Sequence, residues 1–134
     1  MLGAIIGAQG VVFSVWASGA TRVELCLKMK RGGEHRQIME PAGAGVYRAL
    51  VRNAVAGDRY GYILDGQGPM PDPASRYQPE GVHGLSEVVD AGSFHWTDAA
   101  WAGVSLDRLA LYELHIGTFS KAGDFAGVIE HCFG

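Results

Sequence analysis

Apolar and polar positions alternate along the first half of the chain, and the alternation gives way to a different pattern in the last quarter. From Val11 to Ala17, Val11, Phe13 and Val15 fall on one face and Val12, Ser14 and Trp16 on the other, the period of two expected of a strand with one covered face. Arg22 to Lys28 repeats it, with Val23, Leu25 and Leu27 inward and Glu24, Cys26 and Lys28 opposite. His35 to Met39, Val46 to Arg52 and Arg59 to Asp65 predict three more strands, the last with Tyr60, Tyr62 and Leu64 on one face. Turns are signalled between them by Ser18-Gly19-Ala20, Arg31-Gly32-Gly33-Glu34, Gly43-Ala44-Gly45 and Ala56-Gly57-Asp58, and Asp65-Gly66 closes the last strand. Paired glycines supply the positive φ angles that tight hairpins require. The apolar opening, Met1 to Ala8, reads as an N-terminal strand or lead-in. Short strands with Gly-rich turns at about ten-residue spacing predict an antiparallel sandwich of immunoglobulin type. Trp16, sitting in a patterned strand, is expected in its core.

Pro71 to Gly84 (PDPASRYQPEGVHG) breaks the pattern. Three prolines bar it from a central strand or a helix interior, and each restrains the preceding residue, so Met70, Asp72 and Gln78 are expected extended. The stretch reads as a stiff, polar strap at a seam between two architectures. Beyond it, Ser86 to Asp90 predicts a closing strand, and Gly92 to Ser105, with Trp96 and Trp101, an ordered linker whose indoles staple it to a neighbour. Leu109 to Phe119 (LALYELHIGTF) is nearly all apolar and fits a strand covered on both faces, as in parallel sheets. Asp124 is a plausible N-cap for a helix whose stripe is Phe125, Val128, Ile129 and Cys132. The expected organisation is a sandwich over 1–91, a linker over 92–108, and one strand–helix unit over 109–134.

Composition narrows the function classes. Nearly half of the 134 residues are hydrophobic and the net charge is −3, which suits a globular protein with a buried core. The scattered Arg and Lys leave no footprint for nucleic acid. The opening apolar run carries no basic residue before Arg22 and is too short to span a bilayer, so no membrane partner is expected. Cys26 and Cys132, without CxxC or metal-ligand spacing, read as buried thiols in a reducing compartment, and the protein as cytoplasmic. No metal and no cofactor is expected: the Gly43–Gly45 stretch lacks the third glycine and the helix of a dinucleotide loop, and no nucleophile elbow occurs.

Candidate chemistry is sparse. Glu113 and His115, two apart, share one face of the predicted strand, as an acid–base pair or as polar groups satisfied by neighbouring strands. Asp65, Asp72, Glu80 and Asp90 lie in turns, where carboxylates accept from backbone amides, and no spacing singles out two of them as a glycosidase pair. Glu80 and His83 are placed to cap or brace the strap. Trp16, Trp96 and Trp101 have the flat apolar faces that suit the C–H patches of a pyranose; against that stands burial for Trp16 and stapling for the other two.

Taken together, the motifs go further. Phe13-Ser14-Val15-Trp16-Ala17 with Thr21-Arg22-Val23-Glu24-Leu25, and Gly57-Asp58-Arg59-Tyr60-Gly61-Tyr62 with Asp65-Gly66, resemble strands of the N-terminal sandwich in the isoamylase-like branch of glycoside hydrolase family 13, also called carbohydrate-binding module 48. The Pro71–Gly84 strap, and Tyr112-Glu113-Leu114-His115-Ile116-Gly117-Thr118-Phe119, resemble the corresponding segments of the malto-oligosyltrehalose trehalohydrolase family, the latter its first barrel strand. Ser18 stands where that family usually has proline, and 129–134 drifts from its pattern.

The resemblance implies a sandwich followed by the first βα unit of a (β/α)8 barrel, a fold of roughly 250 residues when complete. It implies retaining hydrolysis of the α-1,4 bond next to the terminal trehalose of a maltooligosyl trehalose, by two carboxyls roughly 5 Å apart. The family carries these after its fourth and fifth barrel strands, so this chain contains no catalytic residue and should be inactive alone. Gly117, Thr118 and Phe119 would shape the substrate cleft, and Glu113 and His115 would be struts inside the barrel. The partner would be maltooligosyl trehalose or an α-glucan. A freestanding α-glucan-binding module, or part of a branching or debranching enzyme, are the alternatives.

Overall fold

The computed structural model describes residues 1–133, which divide into two compact units, Met1–His95 and a second beginning at Trp96. In the first, strands β1 (Gly3–Gly7), β2 (Gly10–Trp16), β6 (Val46–Val51) and β5 (Glu40–Pro41) form one sheet in the order β1-β2-β6-β5. Strands β4 (Glu34–Ile38), β3 (Val23–Lys28), β7 (Arg59–Leu64) and β8 (Gln67–Met70) form the other, with β9 (Ser86–Glu87) also on β7. Every pairing is antiparallel.

The core is the set the alternation predicts. Val11, Phe13 and Val15 of β2 meet Val23, Leu25 and Leu27 of β3 and Tyr60 and Tyr62 of β7 in a single buried cluster. The Phe13 and Tyr60 rings meet edge-on at 5.0 Å, and Tyr60 meets Tyr62 at 5.9 Å, the T-shaped geometry favoured by the aromatic quadrupole. The β3–β4 hairpin turns at Gly32-Gly33, both at positive φ. Asp65 and Gly66 make the β7–β8 turn, and the Asp65 carboxylate accepts from the Thr21 hydroxyl at 2.7 Å and the Arg22 amide at 2.8 Å. These bonds, that from Thr21 foremost, hold its carboxyl below the usual range.

Strand β7 is covered on both faces. A Cβ at Gly61 would lie 2.7 Å from the Met70 carbonyl oxygen of β8 and 2.8 Å from Leu85, so only glycine lets the chain on either side of the strap pack this closely there. The strap is expected to be too polar for the core, yet Asp72 is buried. Its carboxylate accepts from Tyr60, Tyr62 and the Ala74 amide, and its own amide donates to the buried Ser86 hydroxyl. Full satisfaction is what allows a carboxylate there. Arg76 ties the strap to β1 through the Ala4 carbonyl oxygen at 2.9 Å, and Glu80 pairs with Arg59 of β7. The strap is thus a part of the first unit.

The second unit departs from expectation. Leu109–Phe119 is not a strand: residues 109–115 are irregular and Ile116–Phe119 forms a single helical turn, α1. A strand of a parallel sheet draws its hydrogen bonds from strands on either side, and among the described residues none pairs with this segment. The helix α2 (Phe125–Phe133) forms as predicted, with Asp124 accepting from the Gly127 amide at 2.9 Å. Its stripe is open, Phe125 being 71% and Ile129 60% exposed.

Candidate functional site

Trp16 ends β2 on the sheet's outer face, and it is 60% exposed rather than in the core. Alternation explains the placement: Val15 fills the inward position, and its neighbour must point the other way. The indole is nevertheless fixed. Its Nε1–H donates to the Ala44 carbonyl oxygen at 3.1 Å, and the Ala17 amide donates to Gly45 at 2.8 Å, so both side chain and backbone are tied to one turn. That turn has three consecutive left-handed residues, Gly43, Ala44 and Gly45, of which Ala44 (φ 49°) adopts a conformation unfavourable for a residue with a Cβ. A Cβ at Gly45 would lie 2.7 Å from Ser18 and 3.1 Å from the indole nitrogen, so glycine is what lets the turn close against the ring.

Beside the indole runs a groove of about 440 Å³ lined by Leu2, Val15, Trp16, Asp72, Pro73 and Ala74. The first three come from β1's approach and β2, the rest from the strap. The Asp72 carboxylate is turned to the tyrosines, which leaves the groove a mainly apolar wall. Sequence reasoning names the Trp16 ring as a candidate for stacking on a sugar but expects it buried, because period-two alternation says which residues share a face, and not which face of a terminal strand residue is covered.

The turn carboxylates behave largely as predicted. Asp65, Asp72 and Asp90 each accept from backbone amides, Asp90 from Gly92 at 3.0 Å, while Glu80 braces the strap through Arg59 and His83 is exposed. In the second unit Glu113, His115, Gly117 and Thr118 are exposed and Phe119 half-buried. The Thr118 hydroxyl lies 3.3 Å from the His115 ring nitrogen, and Phe119 sits edge-on between Tyr112 at 6.3 Å and His131 at 6.1 Å. Glu113 shares none of these contacts, so no acid–base pair is assembled there. Trp96 and Trp101 are 73% and 70% exposed. Cys26 is buried but Cys132, on the open stripe of α2, is exposed, which corrects the expectation of two buried thiols. Among the described residues no three His, Cys, Asp or Glu side chains gather at metal-binding distance, and no helix is long and apolar enough to cross a membrane.

Residues 1–79 match the family described as carbohydrate-binding module 48 (isoamylase N-terminal domain). The chain belongs to this family. The matched span contains both sheets apart from β9, the fixed indole and the whole groove wall. Beyond the module, the chain is 45% identical over 122 residues to a malto-oligosyltrehalose trehalohydrolase of Saccharolobus solfataricus, covering 91% of this chain and 21% of that protein. It is 42% identical over 124 residues to a protein of the same name from Deinococcus radiodurans, covering 92% and 20%. The crystal structure of a putative alpha amylase from Salmonella typhimurium superposes with a TM-score of 0.84 at 37% identity, over 96% of this chain and 21% of that one. The chain therefore spans about a fifth of the length of the relatives it matches. In both the curated relatives and the solved one, the matched share is too large to leave out the unit that follows the module.

Proposed function

We propose that the chain is the N-terminal part of a glycosidase that hydrolyses the α-1,4 bond next to the terminal trehalose of a maltooligosyl trehalose and releases trehalose. The observation that carries this reading is the identity of 45% sustained over 91% of the chain, through the module and into the second unit. Residues 1–91 are the carbohydrate-binding module, 92–108 a linker, and 109–134 the first strand and helix of a (β/α)8 barrel. In that setting Leu109–Phe119 becomes a strand when neighbouring strands supply its ladder, Glu113 and His115 turn from solvent into the barrel as struts, and Gly117, Thr118 and Phe119 border the cleft at the strand's C-terminal end. The reacting carboxyls belong to the four-fifths of the relatives that this chain does not match, so the chain alone performs no hydrolysis. Two free cysteines, one open to solvent, suit a reducing compartment and support a cytoplasmic location.

The exposed Trp16 favours a second role for the same chain, retention of α-glucan by the module itself without catalysis. Both roles are compatible in one enzyme.

A chimera tests the first. This chain replaces the matched N-terminal fifth of the Saccharolobus relative, and trehalose release from maltooligosyl trehalose is measured. Trehalose release by the folded chimera is expected, with none from the chain alone. A folded chimera that releases no trehalose rules the reading out.

A further inference from the structure

We propose that the chain pairs with a second copy of itself along the free edge of β4, in an antiparallel two-fold contact that joins two β4-β3-β7-β8 sheets into one. This contact is independent of the hydrolytic role and of any sugar: it follows from the backbone and the charge pattern of a single strand.

An edge strand leaves backbone groups unpaired unless something blunts or covers it. The other edges are blunted. Arg76 takes the Ala4 carbonyl oxygen of β1, β5 holds Pro41, and β8 holds Pro69 beside a register shift. Strand β4 has neither proline nor register shift along Glu34–Ile38. The Met29 amide donates to Gly33 at 3.0 Å and the Met39 amide to Val23 at 2.9 Å, so the ladder turns the odd-numbered residues of this stretch toward β3. The amides and carbonyls of Glu34, Arg36 and Ile38 therefore face away from the sheet, and among the described residues no further strand meets them.

Side chains choose the partner. Glu34 and Arg36 are exposed on the outer face, and among the described residues neither makes an ion pair. Charged side chains ordinarily protect an edge because like repels like. On β4 opposite signs stand two residues apart, which makes the edge complementary to itself. In a two-fold contact centred on His35, Glu34 lies opposite Arg36 of the second copy, and Arg36 opposite its Glu34. Both are outward-facing positions, so each pair exchanges both backbone N–H···O bonds while its side chains form an ion pair. Centring on Glu34 or on Arg36 instead sets like charges opposite each other, which is unfavourable. Centring between two residues sets outward-facing positions against inward-facing ones, which cannot bond. Charge and ladder thus select one register. At the axis His35 meets its own copy on the inner side, its Nε2 already 3.2 Å from Gln37 Oε1. Such a contact uses the same patch on both copies and closes as a dimer.

A contact confined to one strand edge is smaller than the standard interface of roughly 1,600 Å² and is weak, with a dissociation constant of about 0.1–1 mM. The test follows amide hydrogen exchange in the whole chain by mass spectrometry, on the peptide that contains Glu34–Ile38. Open edge amides exchange fast and pairing protects them, whereas association through other surfaces leaves them open. Exchange in this peptide is expected to slow about twofold between about 0.05 and about 1 mM chain. E34R and R36E each set like charges opposite each other, so each variant alone is expected to lose that concentration dependence. An equimolar mixture of the two brings opposite charges together again and is expected to restore it. Both side chains are exposed, and the wild-type measurement stands by itself should either variant misfold. Exchange independent of concentration in the wild-type chain overturns the proposal. Protection that persists in both single variants also overturns it, and assigns the covering of β4 to another register or another surface. A mixture that behaves as its separate components overturns it as well.

Discussion

The Tyr60 hydroxyl donates to Asp72 Oδ2 across 2.8 Å inside the sandwich, fastening the proline-rich strap to the strand at the centre of one sheet. Tyr62 adds a longer bond to the same oxygen at 3.3 Å, and Oδ1 takes the Ala74 amide. A buried carboxylate in a segment that reads as a polar loop is therefore a joint between two parts of the first unit.

Removing that joint leaves two buried phenols without an acceptor. D72A is expected to destabilise the chain by about 2–4 kcal/mol, from the lost bonds to a charged group and the phenols left unpaired. D72N, which keeps an acceptor oxygen, is expected to cost less. Urea unfolding followed by tyrosine fluorescence measures both. A D72A midpoint equal to wild type would mean that the phenols find other partners and that the strap is held by its Arg76 and Glu80 contacts instead.

The same phenols make stability fall at alkaline pH. Burial, and next the Asp72 charge, raise the Tyr60 and Tyr62 pKa values far above the ordinary tyrosine range. In the unfolded chain both ionise near about pH 10. Above that pH the unfolded state binds fewer protons than the folded one, so their contribution is intact below pH 10 and is lost as pH rises, by about 1.4 kcal/mol per pH unit for each tyrosine. Unfolding measured between pH 8 and 11 is expected to show this slope, and Y62F to remove about half of it. A slope unchanged in Y62F would assign the alkaline loss to other groups.

The strands were legible because each buries one face, which writes a period of two into the sequence; β2, β3 and β7 fall within a residue of their predicted bounds. Strands β5 and β8 were not, since Glu40–Pro41 and Gln67–Met70 carry proline and no buried residue, and pair through backbone alone. The burial of Asp72 was hidden because its partners come from another strand. Trp16 was misplaced because hydrophobicity is not the same as burial at a strand's end, where a turn at Gly43–Gly45 decides what covers the ring. Leu109–Phe119 has the composition of an interior strand, but composition cannot provide the hydrogen-bonding neighbours.

The two cysteines should differ sharply in reactivity. Cys26 is 2% exposed on β3, and Cys132 lies open on α2. Titration of the native chain with an aromatic disulfide reagent is expected to label one thiol at once, and the second only after denaturant is added, since thiolate chemistry requires access. C132S is expected to abolish the fast phase. Two fast thiols in the native chain would show that β3 opens to solvent.

Removal of residues 96–134 is expected to leave the module folded and to raise its solubility. The first unit holds the whole buried cluster, and every strand of both sheets lies within it. The second unit instead exposes Leu106 at 86%, Leu111 at 87% and Tyr112 at 76%, together with the open stripe of α2. At about 25 cal/mol per Å² of apolar surface, side chains of this size gain enough from being covered to favour association between chains. Residues 1–95 should therefore unfold in one cooperative transition with a midpoint close to that of the whole chain, and should stay monomeric at concentrations where the whole chain associates. Sedimentation and thermal unfolding of the two species, side by side, measure this. Loss of the cooperative transition in the shortened chain would show that the sandwich depends on the second unit for its stability.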